Sequence, residues 1–209
     1  MAGADETLLG LFPLGIVLLP GEVVPLHIFE ERYKRLIGER RHEGEFGIVL
    51  SQGGDMRECG CAATVADVVE TLDDGRMNVL VQGRRRFRIA ELREPDDPAA
   101  DYLSALVGYY DDVLPDSPPH LRDATLDAFR EVLLEMDVES PREPGGEGPL
   151  SFRIASAVEF GVSLRQELLE SLSEEQRLDT LLKVMEALLP RLKLRKEREE
   201  AIRGNGKGD

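Results

Sequence analysis

Apolar positions along this chain change period twice. In "LFPLGIVLLPGEVVPLHIFEERYKRLI", residues 11 to 37, they are dense but punctuated by Pro13, Pro20 and Pro25. Each proline fixes its own φ and drives its predecessor toward extended geometry. The spacing therefore predicts short strands at Leu8 to Leu14, Val17 to Leu19 and Val23 to Phe29, with a turn at Pro20-Gly21. From Glu30 the period becomes helical, with Tyr33, Leu36 and Ile37 on one stripe and Gly38 or Gly44 as the stop. The middle of the chain returns to strand character at 45 to 52, 61 to 72, 76 to 83, 84 to 92 and 102 to 112. Signals such as Asp73-Asp74-Gly75 separate these runs. None of them is followed by the helix that a βαβ unit needs, which points to a small barrel or sandwich rather than a parallel sheet.

After "LPDSPPH" the helical period takes over. Ser117 is placed to cap a helix with Pro118 in its first turn, and Leu121, Thr125, Ala128, Phe129, Val132, Leu133 and Met136 form its apolar stripe. "ESPREPGGEGP", 139 to 149, reads as a mobile surface loop. A short helix is expected over Leu150 to Phe160, and capping-box patterns at Ser163 to Gln166 and Ser173 to Gln176 open two more. The last helix carries a leucine stripe from Leu178 to Leu192. Pro190 should kink or divide it, and "KLRKEREEAIR" beyond should be a solvated extension. The fold class is α+β: a β-rich part over 8–115, an α-helical bundle over 117–203, and a disordered tail at 204–209.

Charge and chemistry narrow the function. With 26 basic and 41 acidic residues the net charge is -15, which repels nucleic acid and anionic membranes. The chain opens MAGADET, without the basic n-region of an export signal, and the prolines and Glu22 break any membrane span. Cys59 and Cys61, one residue apart, suit a reducing cytoplasm and read as two small buried hydrophobes. His27, His42 and His120 are scattered, so no metal or other cofactor is expected. Neither a phosphate-binding G-x-x-x-x-G-K-[ST] nor a G-x-S-x-G occurs, and no catalytic residue is assigned. The one basic concentration is "QGRRRFRI". As a strand it sets Arg84, Arg86 and Arg88 on one face, available to RNA or an acidic partner, although pairing to Asp and Glu on a neighbouring strand is the commoner fate. On the first helix Glu31 and Arg35 have the spacing of a surface ion pair.

The opening stretch resembles the start of the Lon N-terminal domain family, in which Pro-punctuated strands ending in P-L-H-I-F-E lead into a helix with R-Y. "FGIVL" at 46 to 50, "CGCAATVADVVETLDDGRMNVLVQGRRRFRI" at 59 to 89, "YLSALV" at 102 to 107 and "SLRQELLESLSEEQRLDTLLKVM" are similar to later family segments, so the likeness spans about residues 8 to 190. It implies a PUA-like pseudobarrel followed by a helical bundle. In full Lon proteases this region precedes an ATPase and a serine-lysine peptidase domain, and it helps to recognise polypeptide substrates. This chain ends where those modules would begin, so a stand-alone, non-catalytic member is expected. It departs from the family pattern in having Arg165 where a lysine is usual, Pro190 in the last helix, and the 139–149 loop. The resemblance implies a cytoplasmic adaptor or holdase in protein quality control that binds unfolded or peptide segments, with a full-length Lon protease as one candidate partner. Such a segment could pair with an exposed strand edge or lie in the cleft between barrel and bundle. The candidate contacts are Val23, Val24, Glu31, Arg32, Tyr33 and Arg35. RNA binding through Arg84, Arg86 and Arg88, and a family-inherited peptidase role, are the alternatives.

Overall fold

The computed structural model describes residues 6–40, 44–95, 101–110, 117–138, 143–146 and 148–205. The order is β1 (Thr7–Leu14), β2 (Val23–Ile28), α1 (Glu31–Arg40), β3 (Phe46–Gln52), β4 (Asp55–Thr71), β5 (Met77–Arg93) and β6 (Ser104–Tyr109), then α2 (Pro119–Glu135), α3 (Leu150–Ala157), α4 (Val162–Glu170) and α5 (Glu174–Asn205). Strands are arranged β2-β5-β4-β3-β1-β6, and β5 also pairs with β6. The length of β5 makes this possible: Met77 to Gln82 pair with β2, and Phe87 to Arg93 pair with β6. A ring of β5, β4, β3, β1 and β6 closes, and β2 hangs outside it on the first half of β5.

Several local expectations change in the folded chain. Val17 to Leu19 are buried but irregular, because the turn at Pro20-Gly21 rests on Gly83 rather than in a ladder. The runs 76 to 83 and 84 to 92 are one strand. A β-bulge at Gly83 to Arg86, opposite Ala63 to Cys61, absorbs what the sequence presents as a break. β1 and β3 are parallel, since β2 and α1 carry the chain across and back into the same sheet. α1 continues through Gly38. Gly53 and Gly54, at φ +64° and +93°, make the two-residue turn that joins β3 to β4.

Leu9, Leu11, Val49, Ala62, Phe87 and Val107 fill the ring as the inward members of alternating strands. A second cluster runs from Phe12, Leu36 and Val79 through Phe129 and Phe152 to Leu181, so sheet and helices share a continuous core. α2 lies along α5, tied at one end by Lys193 and Glu131 at 2.6 Å. Pro118, not Ser117, is the N-cap of α2, and the buried Ser117 hydroxyl has no partner among the described residues. Ser163 falls inside α4, whose N-cap is Gly161; Gln166 turns inward and donates to Cys59 O at 3.1 Å. The cap at Ser173 does form, accepting from Gln176 N at 3.3 Å. Pro190 lies within α5 without dividing it, and Gly204 and Asn205 complete that helix. Residues 206–209, 139–142 and the junction at 111–116 lie outside the described residues. Of the 139–149 loop, Glu143 pairs with Arg130 at 3.3 Å and Pro144 O accepts from Arg153 Nε at 2.9 Å.

Two arginines join the β-rich and helical parts. Arg165 of α4 donates to Val17 O at 3.0 Å, Ala155 O at 2.7 Å and Glu22 Oε1 at 2.6 Å. Arg86 of β5 reaches the end of α4, donating to Leu169 O at 3.0 Å and Ser171 O at 2.5 Å. Among the described residues no helix is long and apolar enough to cross a membrane.

Candidate functional site

β2 is apolar on both faces. Val24, Leu26 and Ile28 turn toward the core, while Val23, Pro25, His27 and Phe29 turn outward. Val23 is 49% exposed and Phe29 60%, large values for an aliphatic and an aromatic side chain in a folded domain. The outward row continues across the sheet by register. Pro25 is opposite Leu80, and Leu80 is opposite Asp67; His27 is opposite Asn78, and Asn78 opposite Glu70. The second line is a hydrogen-bonded ladder, with His27 Nδ1 donating to Asn78 Oδ1 at 2.7 Å and Asn78 Nδ2 donating to Glu70 Oε2 at 2.8 Å. The Phe29 ring lies 6.1 Å from that of His27, near parallel to it. Val69, at a bulge in β4, is a further exposed apolar residue.

The candidate contacts on α1 separate into surface and core. Tyr33 is buried and stacked on Phe12 at 4.0 Å, and burial pushes its phenol up from the ordinary range, so it is not a surface contact. Val24 likewise packs against the core. Glu31 pairs with Lys34 at 2.8 Å rather than with Arg35. Arg35 pairs with Glu39 at 2.9 Å and with Asp101. Arg32 sits over the Tyr33 ring at 4.6 Å and pairs with Glu30 at 2.7 Å. Of the six residues, Val23 alone belongs to the exposed apolar row.

No exposed arginine row forms. The β5 bulge turns Arg86 inward, where it is 4% exposed and lies over the rings of Tyr110 and Phe152 at 4.9 and 5.4 Å. Arg84 donates to Thr64 Oγ1 at 2.9 Å, and Arg88 pairs with Glu58 at 3.1 Å. A period-two pattern holds only where a strand has no bulge, which is why the face assignment failed.

A groove of about 580 Å³ opens where β4 and β5 diverge beside the end of α4, lined by Met56, Cys59, Arg88, Tyr110, Glu170 and Leu172. Burial pushes the Cys59 thiol up to about 11, and its sulfur contacts the Tyr110 hydroxyl. Cys61 is fully enclosed and its thiol is raised further by burial. Neither sulfur has the depressed pKa of a reactive thiolate. Among the described residues no group of three or more His, Cys, Asp and Glu is placed to hold a metal.

A model of the ATP-dependent protease La (Lon) substrate-binding domain matches residues 9–187. The chain belongs to the Lon substrate-binding domain family. The Lon protease of Cytophaga hutchinsonii is 26% identical over 201 residues, covering 87% of this chain and 24% of that protein. That of Flavobacterium johnsoniae is 25% identical over 216 residues, covering 93% of this chain and 26% of that protein. The chain thus spans about a quarter of the length of the curated relatives it matches. A Lon N-terminal domain protein from Xanthomonas campestris has the same fold, with a TM-score of 0.67 and 27% identity over 85% of this chain and 98% of that one. The N-terminal domain of a Mycobacterium avium complex Lon protease, 18% identical, agrees in fold with a TM-score of 0.62 over 86% of this chain and 98% of that one. The α+β class is that of Lon N-terminal domains. Phe29, Leu80 and the His27–Asn78–Glu70 ladder went unmarked in the sequence, although apolar residues on both faces of β2 were a visible sign.

Proposed function

We propose that this Lon-type domain binds unfolded polypeptide segments on the outer face of β2, β5 and β4, without catalysis, and acts as an adaptor or holdase for a Lon protease in the cytoplasm. The observation that supports this is the exposed apolar row of Val23, Pro25 and Phe29. Recognition runs through side chains laid on the face rather than through an added strand. Gly83 N donates to Glu22 O at 2.8 Å, and Gly21 N donates to Gly83 O at 3.0 Å. Alternation of the ladder from that point turns the nitrogens of Val23, Pro25 and His27 toward the open edge. Pro25 has no N–H, so a strand added there would lack a bond at its centre. RNA binding has no comparable support, because Arg86 is buried.

Fluorescence titration of a labelled, permanently unfolded client tests the proposal. Val23→Ser with Phe29→Ser should weaken binding by about ten- to hundredfold, the worth of one or two covered apolar side chains. Thermal stability should change little, since both side chains are exposed. Unchanged affinity in the double variant, or no binding by the native protein at about 50 µM, would refute it.

A further inference from the structure

The outer face is apolar on one side and acidic on the other. Val23 and Pro25 lie on β2 and Phe29 directly follows it, whereas β4, two strands away, sets Asp67 opposite Leu80 and Glu70 opposite Asn78. Neighbouring strands are about 4.8 Å apart, so roughly 10 Å separates the two rows. Asp67 is exposed and has no hydrogen-bond or ion-pair partner among the described residues. Glu70 accepts the Asn78 amide and keeps its second oxygen for another donor. Nearby cations are engaged elsewhere: Arg84 donates to Thr64 at 2.9 Å, and Arg76 pairs with Asp74 at 2.7 Å.

We infer that the preferred occupant of this face is an extended polypeptide segment carrying a large apolar residue with a lysine or arginine two to four positions away. This rests on the polypeptide-binding role proposed above and names the class of segment within it. An extended chain rises about 3.3 Å per residue, so two to four residues span roughly 7–13 Å. A side chain seated on Pro25 or Phe29 thus brings a basic neighbour over Asp67 and Glu70. The apolar row supplies most of the affinity. The two carboxylates select among apolar segments, and a net charge of -15 adds a field of the same sign.

Three labelled 15-residue peptides test this by fluorescence anisotropy, alike except for Lys, Gln or Glu three positions after a central Phe. The native protein should bind Lys over Glu by about five- to twentyfold at low salt, and by less at high salt. Asp67→Asn with Glu70→Gln should narrow that ratio, and Asp67→Lys should level or invert it. Asp127→Lys on α2 makes the same change in net charge at a remote surface and should leave the ratio near its native value. Equal binding of all three peptides by the native protein would overturn the inference while leaving polypeptide binding intact. So would a Lys preference that survives Asp67→Lys, or one that Asp127→Lys reduces equally. If no peptide binds, the polypeptide-binding role itself falls, and this inference with it. Asp67 is exposed, so native thermal stability of its variants confirms that each ratio reports on binding.

Discussion

Replacing Arg165 by methionine breaks the staple between the 15–22 segment and the helices. The guanidinium bonds three groups, Val17 O at 3.0 Å, Ala155 O at 2.7 Å and Glu22 Oε1 at 2.6 Å. Arg165 and Glu22 side chains are only 14% and 12% exposed, so little water can replace a lost partner. Truncating one member of a fully buried pair costs about 3–5 kcal/mol, chiefly because the other charge is left unpaired. Glu22 keeps one bond, from Leu19 N at 2.9 Å, which places Arg165→Met near the lower limit, at about 3 kcal/mol. Glu22→Leu should cost a similar amount by stranding the arginine. The double variant leaves no stranded charge, so its loss should fall below the sum of the two by at least about 1 kcal/mol. Urea unfolding followed by circular dichroism measures all four proteins, provided the m-value is shared. A loss below about 1 kcal/mol for Arg165→Met, or additivity within about 0.5 kcal/mol, would show that the staple does not join the two parts.

Gly83→Ala places a Cβ 2.1 Å from Leu19 O, so the turn must move, and a loss of about 3 kcal/mol or more is expected in the same urea assay; a loss under 1 kcal/mol would show that the turn is not seated on Gly83. Gly38→Ala meets nothing within 4 Å inside α1 and should instead stabilise by about 0.5–1 kcal/mol. Burial raises the Cys59 thiol from 9.0 to about 11, so the folded state keeps a proton that the unfolded chain releases. That stabilisation is complete below pH 9 and is lost as pH rises toward 11, by roughly 2–3 kcal/mol in all. Cys59→Ala should flatten the decline in the urea midpoint over that range, and an unchanged slope would contradict the assignment. Pro190 is exposed within α5, and Pro190→Ala restores an N–H for the Glu186 carbonyl. It should raise stability by about 1–3 kcal/mol in thermal or urea unfolding, whereas a loss would mean that the helix depends on a bend there.

The order of strands and helices was legible because period and proline placement report local geometry directly. What was not legible depended on pairing over long distances. Nothing local shows that β5 serves both β2 and β6, or that a bulge at Gly83 to Arg86 turns Arg86 from the surface to the helices. Ser117 and Ser163 matched capping patterns, but tertiary packing moved both helix starts by a residue or two. Tyr33 lies on the apolar stripe of α1 with Leu36 and Ile37, and that stripe already pointed to the core where it stacks on Phe12, so its place among the candidate contacts ran against the helical period. The exposed row on β2 was written in the sequence as strict alternation, Val23, Pro25, His27, Phe29 against Val24, Leu26, Ile28. Which row faces water could be assigned only once the ring had closed without β2.

An exposed apolar strand at a sheet edge is ordinarily a hazard, because it templates pairing with another copy of itself. Here the backbone and side-chain parts of that hazard are separated. Pro25 removes the central donor on the open edge, and the turn at Pro20-Gly21, bonded to Gly83, fixes where the strand enters the sheet. Self-pairing along the edge is therefore weakened, while Val23 and Phe29 remain exposed on the face. Under the proposed role, a surface of that kind would hold clients by side-chain burial, which tolerates many sequences, and would give little hold to the regular strand stacking that ends in aggregation. On this argument Pro25→Val, which restores the donor and raises strand propensity, should leave client binding nearly intact but increase concentration-dependent association in light scattering. Stronger client binding without added self-association would instead mean that clients bind by adding a strand at β2.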